Sequence, residues 1–353
     1  LWGSSFSRAE EGLRERRAPA TRRDLIVAFG KPLPLDTEAD QLKQKVFELS
    51  ISAWDTYSRN LDPVPLAVLR KTRRQRHSIV AINSTGEKLT GRRFAAATAC
   101  FAGAIPAERD QPNIGIMLPA SSAAAIATVA VSLKGKVAVQ LNYTSGPEAV
   151  HSAVDSAGLT TVLTSRQFLA RLEQRGIDPE ALLPSHVEKV FLEDIRETLP
   201  TWKLALAAVA HTLLPSAWFY RLYGKRVDID QPFAILFSSG SESAPKGIVL
   251  SHRNVMCNIK QVSDVLNTRV DDVMMSCLPP FHSFGLTVTT LLPLVEGIPM
   301  VCHPDPTDSL GVAKAVARYQ ATLLLGTSTF LNFYTRNRKV HPLMLESLRI
   351  VVS

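Results

Sequence analysis

The sequence predicts an α/β domain with largely parallel sheets, on the strength of two observations. From Val80 onward, short apolar runs alternate with helix-like segments, as expected for strand–helix–strand units. Hydrophobic residues make up 46% of the 353 residues, so the chain can bury a substantial core. The apolar runs that we interpret as strands include 114–118, 137–141, 161–163, 234–237, 297–301 and 322–325.

One apolar stretch, residues 114–133, is long enough to raise the question of a membrane span. It contains no charged side chain, but Pro119, Ser121 and Ser122 interrupt it, and its second half is mostly Ala, Ser and Thr. We interpret it as a buried strand, a turn and a packed helix.

A second stretch, residues 204–220, is shorter and more polar. Two interpretations stay open: an interfacial helix with Trp202, Trp218 and Tyr220 at headgroup level, or a helix packed on its own domain. The surrounding segment 200–229 is the best candidate for an inserted or interfacial element.

The chain carries a net charge of +8 and four scattered cysteines. The cysteines lack metal-type spacing, which suits a reducing compartment. The excess positive charge has three interpretations: a solvated basic face, attraction to anionic lipid, or nucleic-acid binding. We predict no nucleic-acid partner, because no aromatic residues alternate with the basic ones and the sequence contains no recognised nucleic-acid-binding motif. Much of the charge lies in two clusters: Arg14, Arg16, Arg17, Arg22 and Arg23, then Arg70, Lys71, Arg73, Arg74 and Arg76.

Residues 1–50 differ from the rest, and they are too few to form a core of their own. They are rich in Arg and Glu, and they then predict a short strand at 25–29 followed by a polar helix. We expect 1–50 to end a domain that began upstream, and 51–353 to form the main domain. The chain starts at Leu1, without a methionine, and it ends at Ser353 within an apolar run that predicts a strand. We therefore expect it to be a piece of a longer protein. The apolar positions of the helix are Leu42, Val46, Phe47 and Leu49.

The strongest functional signal is a loop rich in Ser and Gly that follows the predicted strand 234–237. Small residues let backbone N–H groups approach phosphate oxygens, and a lysine adds a point charge. The order Lys246-Gly247 differs from the Gly-Lys-Ser/Thr of P-loop NTPases, which disfavours that class. The alternative to phosphate binding is an ordinary polar hairpin loop with one surface lysine. The predicted nucleotide-binding residues are Ser238, Ser239, Gly240, Ser241, Glu242, Ser243, Pro245, Lys246 and Gly247.

A helix is predicted directly after this loop, with Ser251 as its N-cap. Its apolar positions recur on one face, which predicts an amphipathic helix packed on the core. These positions are Val255, Ile259, Val262 and Leu266.

The loop, ending in Pro-Lys-Gly, resembles the signature of the AMP-binding, adenylate-forming superfamily. Ser243 stands where that family usually has a second glycine. The resemblance implies the layered N-terminal α/β domain of acyl-CoA synthetase-like enzymes, with ATP and Mg²⁺ as cofactors. It implies a catalytic phosphate contact for Lys246. Glu242 would act through Mg²⁺, because a bare carboxylate is repelled by triphosphate. No separate protein metal site is predicted.

Residues 278–286, LPPFHSFGL, resemble the second motif of that family. Its histidine lies near the bound carboxylate and nucleotide, and its aromatics border the acyl tunnel. The resemblance therefore implies a catalytic and substrate-facing His282 and a substrate-lining Phe284. A histidine between two phenylalanines in a turn bounded by Pro and Gly is also unusual for the core. Residues 326–330 resemble the carboxylate pocket of fatty-acyl members, which implies three further substrate residues: Gly326, Thr327 and Ser328.

The amino-acid sequence in and around these motifs is most similar to one subfamily. FHSFGLTV, LLGTSTFL and SLKGKVAVQLNYT resemble the acyl-[acyl-carrier-protein] synthetase half of bifunctional 2-acylglycerophosphoethanolamine acyltransferase/acyl-ACP synthetase proteins. Residues 1–50 resemble the end of a lysophospholipid acyltransferase domain, whose catalytic His-x4-Asp pair we expect to be missing from this chain. The resemblance implies fatty-acid activation to acyl-AMP and transfer to a phosphopantetheine thiol on acyl carrier protein or coenzyme A. Fatty acids partition into membranes, and the basic clusters together with the segment 202–220 offer a way to stay near that source. We therefore predict a place at the cytoplasmic face of the inner cell membrane, held mainly by the upstream part.

In this family, the segments that bind adenine and ribose, and the C-terminal lid, would lie past Ser353. We therefore expect that the chain holds only half of the active site and that it is inactive on its own. Two alternatives stay open. One is a non-catalytic module that binds nucleotide or a partner, which Ser243 and the basic clusters favour slightly. The other is an adenylating enzyme for a different carboxylate.

Overall fold

The computed structural model describes residues 25–106, 111–238, 245–269 and 271–353. These residues form two six-stranded sheets with helices packed against both, so the predicted α/β class is confirmed. In chain order the strands are β1 Ile79–Ile82, β2 Lys88–Thr90, β3 Asn113–Ile116, β4 Val137–Gln140, β5 Thr161–Thr164, β6 Glu188–Phe191, β7 Pro232–Phe237, β8 Gly247–Ser251, β9 Met274–Ser276, β10 Met300–Cys302, β11 Leu323–Leu325 and β12 Ile350–Val352.

The helices lie mostly between consecutive parallel strands, as in strand–helix–strand units. They are α1 Ala39–Arg59, α2 Val64–Arg74, α3 Gly91–Ala104, α4 Ser122–Leu133, α5 Pro147–Ser156, α6 Arg166–Glu173, α7 Leu192–Thr198, α8 Thr201–Leu213, α9 Ser216–Tyr223, α10 His252–Leu266, α11 Leu292–Glu296, α12 Ser309–Tyr319 and α13 Ser328–Arg336. A π-helix, Phe284–Leu291, leads into α11, and a short 3₁₀-helix, Pro342–Leu345, precedes β12.

Both sheets are largely parallel, as predicted. Sheet 1 has the order β12-β11-β9-β10-β1-β2, and only β2 runs antiparallel to its neighbour. Sheet 2 has the order β6-β5-β3-β4-β7-β8, and only β8 is antiparallel. In each sheet, therefore, the carboxyl ends of five parallel strands share one edge, where α/β proteins place their ligands.

A single core joins the two sheets. Its largest cluster combines Ala81 of β1 and Met300 of β10 with Ala234 of β7, and Phe94 of α3 packs among them. All four are fully buried. The positions of the two carboxyl edges are therefore fixed relative to one another by close packing.

Two strand predictions are wrong. Residues 25–29 have no regular structure and lie exposed, with Phe29 91% exposed, because an apolar run becomes a strand only when a partner pairs with it. In 297–301, the strand begins only at Met300. Gly297 has a φ of +78° and ends α11 in the left-handed conformation, and the Ile298 N–H still bonds to the Pro293 carbonyl.

The interpretation of residues 114–133 as a strand, a turn and a packed helix is confirmed by β3 and α4. Nine of the ten residues from Ala124 to Leu133 are completely or almost completely buried, which explains why they carry no charge. Across the described ranges, no helix combines the length and the apolarity that crossing a bilayer requires.

The predicted N-cap at Ser251 is confirmed. The Ser251 Oγ accepts from the Asn254 N–H at 3.2 Å, and the Ser251 N–H donates to the Asn254 Oδ1 at 3.0 Å, which together form a capping box. Val255, Ile259 and Leu266 are buried on the core side of α10, as predicted.

We expect Ser251→Ala to lower the free energy of unfolding by about 1 kcal/mol, because the first turn of α10 loses its side-chain acceptor. Ser251→Asp should retain most of that stability. Urea unfolding midpoints measure the difference, with Ser84→Ala, in the exposed β1–β2 turn, as the control. Equal midpoints for Ser251→Ala and Ser84→Ala would contradict a stabilising cap.

Candidate functional site

The predicted phosphate loop lies at the carboxyl end of β7, in sheet 2. It connects β7 to the antiparallel β8, and Phe237 pairs with Gly247 at its base. The Ser238 N–H donates to the Lys246 carbonyl oxygen at 3.1 Å, which closes the neck of the loop. The remaining loop predictions, Ser239, Gly240, Ser241, Glu242 and Ser243, lie outside the described residues.

The backbone of Lys246 has a structural role, and its side chain is available for binding. Its carbonyl holds the neck of the loop, whereas its side chain is exposed. Pro245 and Ser238 on either side are half-buried. A lysine ammonium thus stands at the mouth of a loop rich in small residues, where it can meet an anion without disturbing the hairpin.

His282 lies after β9, at the carboxyl edge of sheet 1. Its N–H donates to the Pro279 carbonyl at 3.1 Å, and its carbonyl accepts from the Leu286 N–H at 2.8 Å, so the backbone turn is fixed on both sides. The imidazole lies against Phe281, with ring centroids 4.6 Å apart, yet it is exposed on its other side. Partial burial lowers the pKa of His282, which favours a neutral imidazole at neutral pH.

Gly285 makes this turn possible, and the sequence alone did not mark it as a site residue. A β-carbon at Gly285 would lie 2.7 Å from the Pro279 carbonyl carbon and closer still to its oxygen. The Gly285 carbonyl also accepts from the Thr289 and Thr290 hydroxyls, at 3.0 and 2.9 Å, in the first turns of the π-helix. π-Helical segments are frequent at functional sites.

The segment Gly326, Thr327 and Ser328 follows β11, which pairs directly with β9 in sheet 1. It therefore lies at the same carboxyl edge as His282. Gly326 is buried, and its N–H donates to the Val352 carbonyl at 3.0 Å. Thr327 and Ser328 are exposed at the start of α13, where backbone N–H groups and the helix dipole favour a carboxylate.

An aromatic cluster joins the two carboxyl edges. Phe281, next to His282, makes an edge-to-face contact with Tyr143, which follows β4, at a ring-centroid distance of 4.9 Å. Phe237, at the base of the phosphate loop, packs on the same cluster. An ion pair between Arg175 and Asp305 also bridges the segments after α6 and β10. The structure thus brings the loop neck, His282 and the Thr327 segment to one end of the molecule.

The apolar residues expected around an acyl tunnel belong to three different clusters. Phe281 packs with Tyr143, Phe284 and Leu286 join the core between the sheets, and Phe330 and Leu331 pack beside Tyr334. Phe284 is only partly buried, so it retains a surface that could contact a substrate. The acyl tunnel and the substrate role of Phe284 stay predictions.

The described residues at the loop neck suit phosphate oxygens but supply no metal cage. Lys246 offers a cation and Ser238 a hydroxyl donor, next to the carboxyl end of the parallel strand β7. No group of three or more His, Cys, Asp or Glu side chains is placed to hold a metal ion in the part of the chain that the structure describes. A Mg²⁺ ion would therefore depend on Glu242, on the phosphates and on water.

The expectation that the chain lacks a His-x4-Asp pair is wrong as a matter of spacing, because His303 and Asp308 have it. The structure gives this pair a local role: Asp308 caps α12 by accepting from the Gly311 N–H at 2.9 Å, and its other oxygen lies 3.3 Å from the His303 Nε2. The pair follows β10 in sheet 1, far along the chain from residues 1–50.

Comparison with known proteins decides the family. A family model described as AMP-binding enzyme matches residues 69–353. The chain belongs to the AMP-binding enzymes. The matched region contains both sheets almost entirely, the phosphate loop, His282 and the Thr327 segment.

Among curated proteins, the chain is 27% identical over 241 residues to 4-coumarate–CoA ligase 2 of Oryza sativa subsp. japonica, covering 65% of this chain and 41% of the relative. It is 23% identical over 256 residues to a long-chain-fatty-acid–CoA ligase of Escherichia coli O6:H1, covering 67% and 45%. Its fold matches the anthranilate CoA ligase AuaEII in complex with anthranoyl-AMP, with a TM-score of 0.66 at 17% identity, over 84% of this chain and 55% of that one.

These matches support an acid–thiol ligase-like AMP-binding enzyme and the fold of the N-terminal domain of adenylate-forming enzymes. The chain spans less than half the length of the two curated relatives. The individual roles assigned to Lys246, His282 and the Thr327 segment stay predictions.

Proposed function

We propose that this chain is part of an enzyme that activates a fatty acid as acyl-AMP and then passes the acyl group to a phosphopantetheine thiol, on acyl carrier protein or coenzyme A. The observation that carries the proposal is the shared edge: the loop neck with Lys246, the exposed His282, and the Thr327 segment come together in an AMP-binding enzyme. The activity belongs to the whole protein, of which the chain forms the matched part.

In the first step a carboxylate oxygen attacks the α-phosphorus of ATP, and the bond to pyrophosphate breaks. Lys246 and the loop donors, Ser238 included, would neutralise and orient the phosphates. ATP supplies the leaving group, and Mg²⁺, held in part by Glu242, would offset the remaining charge. In the second step the thiol sulfur attacks the acyl carbon and AMP departs.

The other residues of the edge would position the carboxylate. The neutral His282 can donate one hydrogen bond to it without adding a full charge beside Lys246. The N-terminus of α13, with Thr327 and Ser328, offers further donors. These groups follow two adjacent strands of one sheet, and hydrogen bonds to Pro279 and from Leu286 fix the turn that carries His282.

We further propose that the enzyme works at the cytoplasmic face of the inner cell membrane, in phospholipid acyl recycling, with residues 1–50 as the end of an acyltransferase domain. The similarity to a long-chain-fatty-acid–CoA ligase supports a substrate that partitions into lipid. A second candidate is an adenylating enzyme for an aromatic acid. It is favoured by the similarity to a 4-coumarate–CoA ligase and by the distribution of the apolar flanks over separate clusters.

A substrate series on the full-length protein separates these candidates. We expect kcat/KM for ATP-dependent acyl-AMP formation to rise from acetate to medium and long chains, by about fourfold for each methylene that becomes buried, since burial contributes roughly 0.8 kcal/mol per CH₂. Pyrophosphate release measures the rate. Preference for 4-coumarate, an amino acid or acetate would overturn the fatty-acyl assignment, and nucleotide binding without any turnover would favour a non-catalytic module.

A further inference from the structure

Helices α8 and α9 carry an exposed apolar surface, which we call the α8–α9 ridge. Its members on α8 recur at intervals of three or four residues, so they lie on one helix face, and its two members on α9 are four residues apart. All are more than half exposed: Trp202 62%, Leu206 55%, Val209 52%, Leu213 71%, Trp218 65% and Leu222 63%. Two tryptophans and four aliphatic side chains on one short helical pair form a concentrated apolar patch.

The ridge faces outward because the opposite face of α8 is docked on the domain. Ala207 is fully buried against Ala96 and Cys100 of α3. His211 is also fully buried, and its Nε2 lies 3.3 Å from the Thr72 Oγ1 of α2. One face of residues 204–220 therefore packs on the domain, and the opposite face is exposed. Tyr220, which the interfacial interpretation placed at headgroup level, is instead only 5% exposed, and its hydroxyl donates to the Lys225 carbonyl at 2.9 Å.

The segment that forms the ridge carries charges of a single sign. From Leu199 to Val227 the sequence contains no Asp or Glu. The Lys203 ammonium lies 5.6 Å from the centre of the Trp202 ring, which places a cation beside an exposed indole. The cations of this segment, all exposed, are Lys203, Arg221, Lys225 and Arg226.

Helix α2, which carries most of the second basic cluster, packs against the two ridge helices, although Arg70 pairs with Asp62 and Lys71 bonds to the Glu296 carbonyl. Helix α2 contacts α9 and, through Thr72, the buried His211 of α8. Burial, helped by the charge of Arg73, lowers the pKa of His211 to about 4. Arg74 and Arg76, at and after the last turn of α2, are exposed. The ridge segment thus has cations on α8, on α9 and directly after α9, and two further exposed cations lie at and just after the end of the helix packed against it.

We propose that the α8–α9 ridge lies in the interface of an anionic phospholipid bilayer, with both helices parallel to the membrane plane. Apolar side chains would enter the acyl boundary, the indoles would lie at headgroup level, and the cations would meet lipid phosphates. Protein interfaces favour aromatic residues but are depleted in lysine, and they pair charges of both signs, whereas the segment that forms the ridge carries only cations. The chemistry of the ridge therefore fits lipid better than a protein partner.

Vesicle co-sedimentation of the protein, without nucleotide, tests this proposal independently of any ligase activity. We expect binding to phosphatidylcholine vesicles that contain phosphatidylglycerol, weak binding to phosphatidylcholine alone, and release at high salt, because screening shortens the reach of surface charge. A ridge variant carrying Trp202→Ser, Leu206→Ser, Leu213→Ser and Trp218→Ser should partition at least about tenfold less.

The matched control replaces exposed apolar residues elsewhere on the surface, in Val265→Ser and Leu343→Ser. Leu343 is 67% exposed, close to the 71% of Leu213, so Leu343→Ser is matched to the single change Leu213→Ser. It should bind vesicles as the unsubstituted protein does. Because all of these side chains are exposed, both variants should keep their helical circular dichroism, and a ridge variant that unfolds is replaced by the single changes Leu213→Ser and Leu222→Ser.

Tryptophan fluorescence locates the contact. In a Trp2→Phe, Trp54→Phe background, brominated lipid should quench the remaining Trp202 and Trp218. Absence of quenching, no binding to either kind of vesicle, or equal losses in the ridge and control variants would overturn the proposal. A protein that is dimeric in solution, and becomes monomeric only in the ridge variant without binding vesicles, would assign the ridge to a second copy of the chain instead.

Discussion

Replacing Lys246 with alanine is expected to lower kcat/KM for ATP in the full-length enzyme by roughly ten- to a hundredfold, while leaving the fold unchanged. A charge-assisted contact to a phosphate oxygen contributes about 1.5–3 kcal/mol, and the alanine variant loses one such contact. The fold should be unaffected because the Lys246 backbone carbonyl, and not the side chain, closes the loop neck with Ser238. ATP–pyrophosphate exchange measures the loss, and thermal unfolding tests the fold.

Two further variants sharpen this experiment. Lys88→Ala removes an exposed lysine from β2, at the edge of sheet 1, and should leave exchange at its normal rate. Lys246→Arg keeps the charge but replaces a compact ammonium by a planar fork, so partial activity is expected. If Lys246→Ala exchanges pyrophosphate as fast as Lys88→Ala does, the phosphate role of Lys246 is wrong.

The sequence predicted those parts of the fold in which a local pattern and its environment agree. The buried strands β3, β4, β5, β7 and β11 appear as short apolar runs, and their burial on both faces makes the pattern continuous. The cap at Ser251 follows from its own side chain and that of Asn254. In both cases the residues that form the structure are close together in the sequence.

The failures have different physical causes. Residues 25–29 are as apolar as a strand, but no strand pairs with them in the described ranges. Gly297 belongs to an apolar run, yet the end of α11 uses it as a left-handed cap. Met274–Ser276 was not predicted at all, although β9 lies at the centre of sheet 1 and carries the His282 segment. Three residues are too short a window for periodicity to detect.

The sequence predicted the individual residues of the candidate site, but it did not predict how they come together in space. The motifs containing Lys246, His282 and Thr327 could be located in the sequence, because each has an unusual local composition. That the edges of two different sheets meet through Phe281 and Tyr143 required the three-dimensional structure. A contact between residues 138 positions apart has no signature in a single sequence.

The close contact of Gly285 was likewise not visible in the sequence. Its substitution by alanine has the second large expected effect on activity. A β-carbon at this position would overlap the Pro279 carbonyl, which also accepts the His282 N–H. Gly285→Ala must therefore displace backbone, at a cost of about 1–3 kcal/mol of folding free energy. The displaced turn carries His282, and a shift of about 1 Å near a reacting group can lower the rate by about a hundredfold.

Gly103→Ala is the matched control for this substitution. Gly103 lies in α3, and a β-carbon there would meet nothing within 4 Å. Alanine should therefore stabilise that helix by about 0.4–1 kcal/mol, with no change in rate. Thermal unfolding and kcat/KM for acyl-AMP formation, measured on both variants of the full-length enzyme, separate the two effects. Gly285→Ala with a lowered unfolding temperature but an unchanged rate would mean that the placement of His282 does not matter for the chemistry. If neither quantity changed, the close approach of Gly285 to Pro279 would itself be wrong.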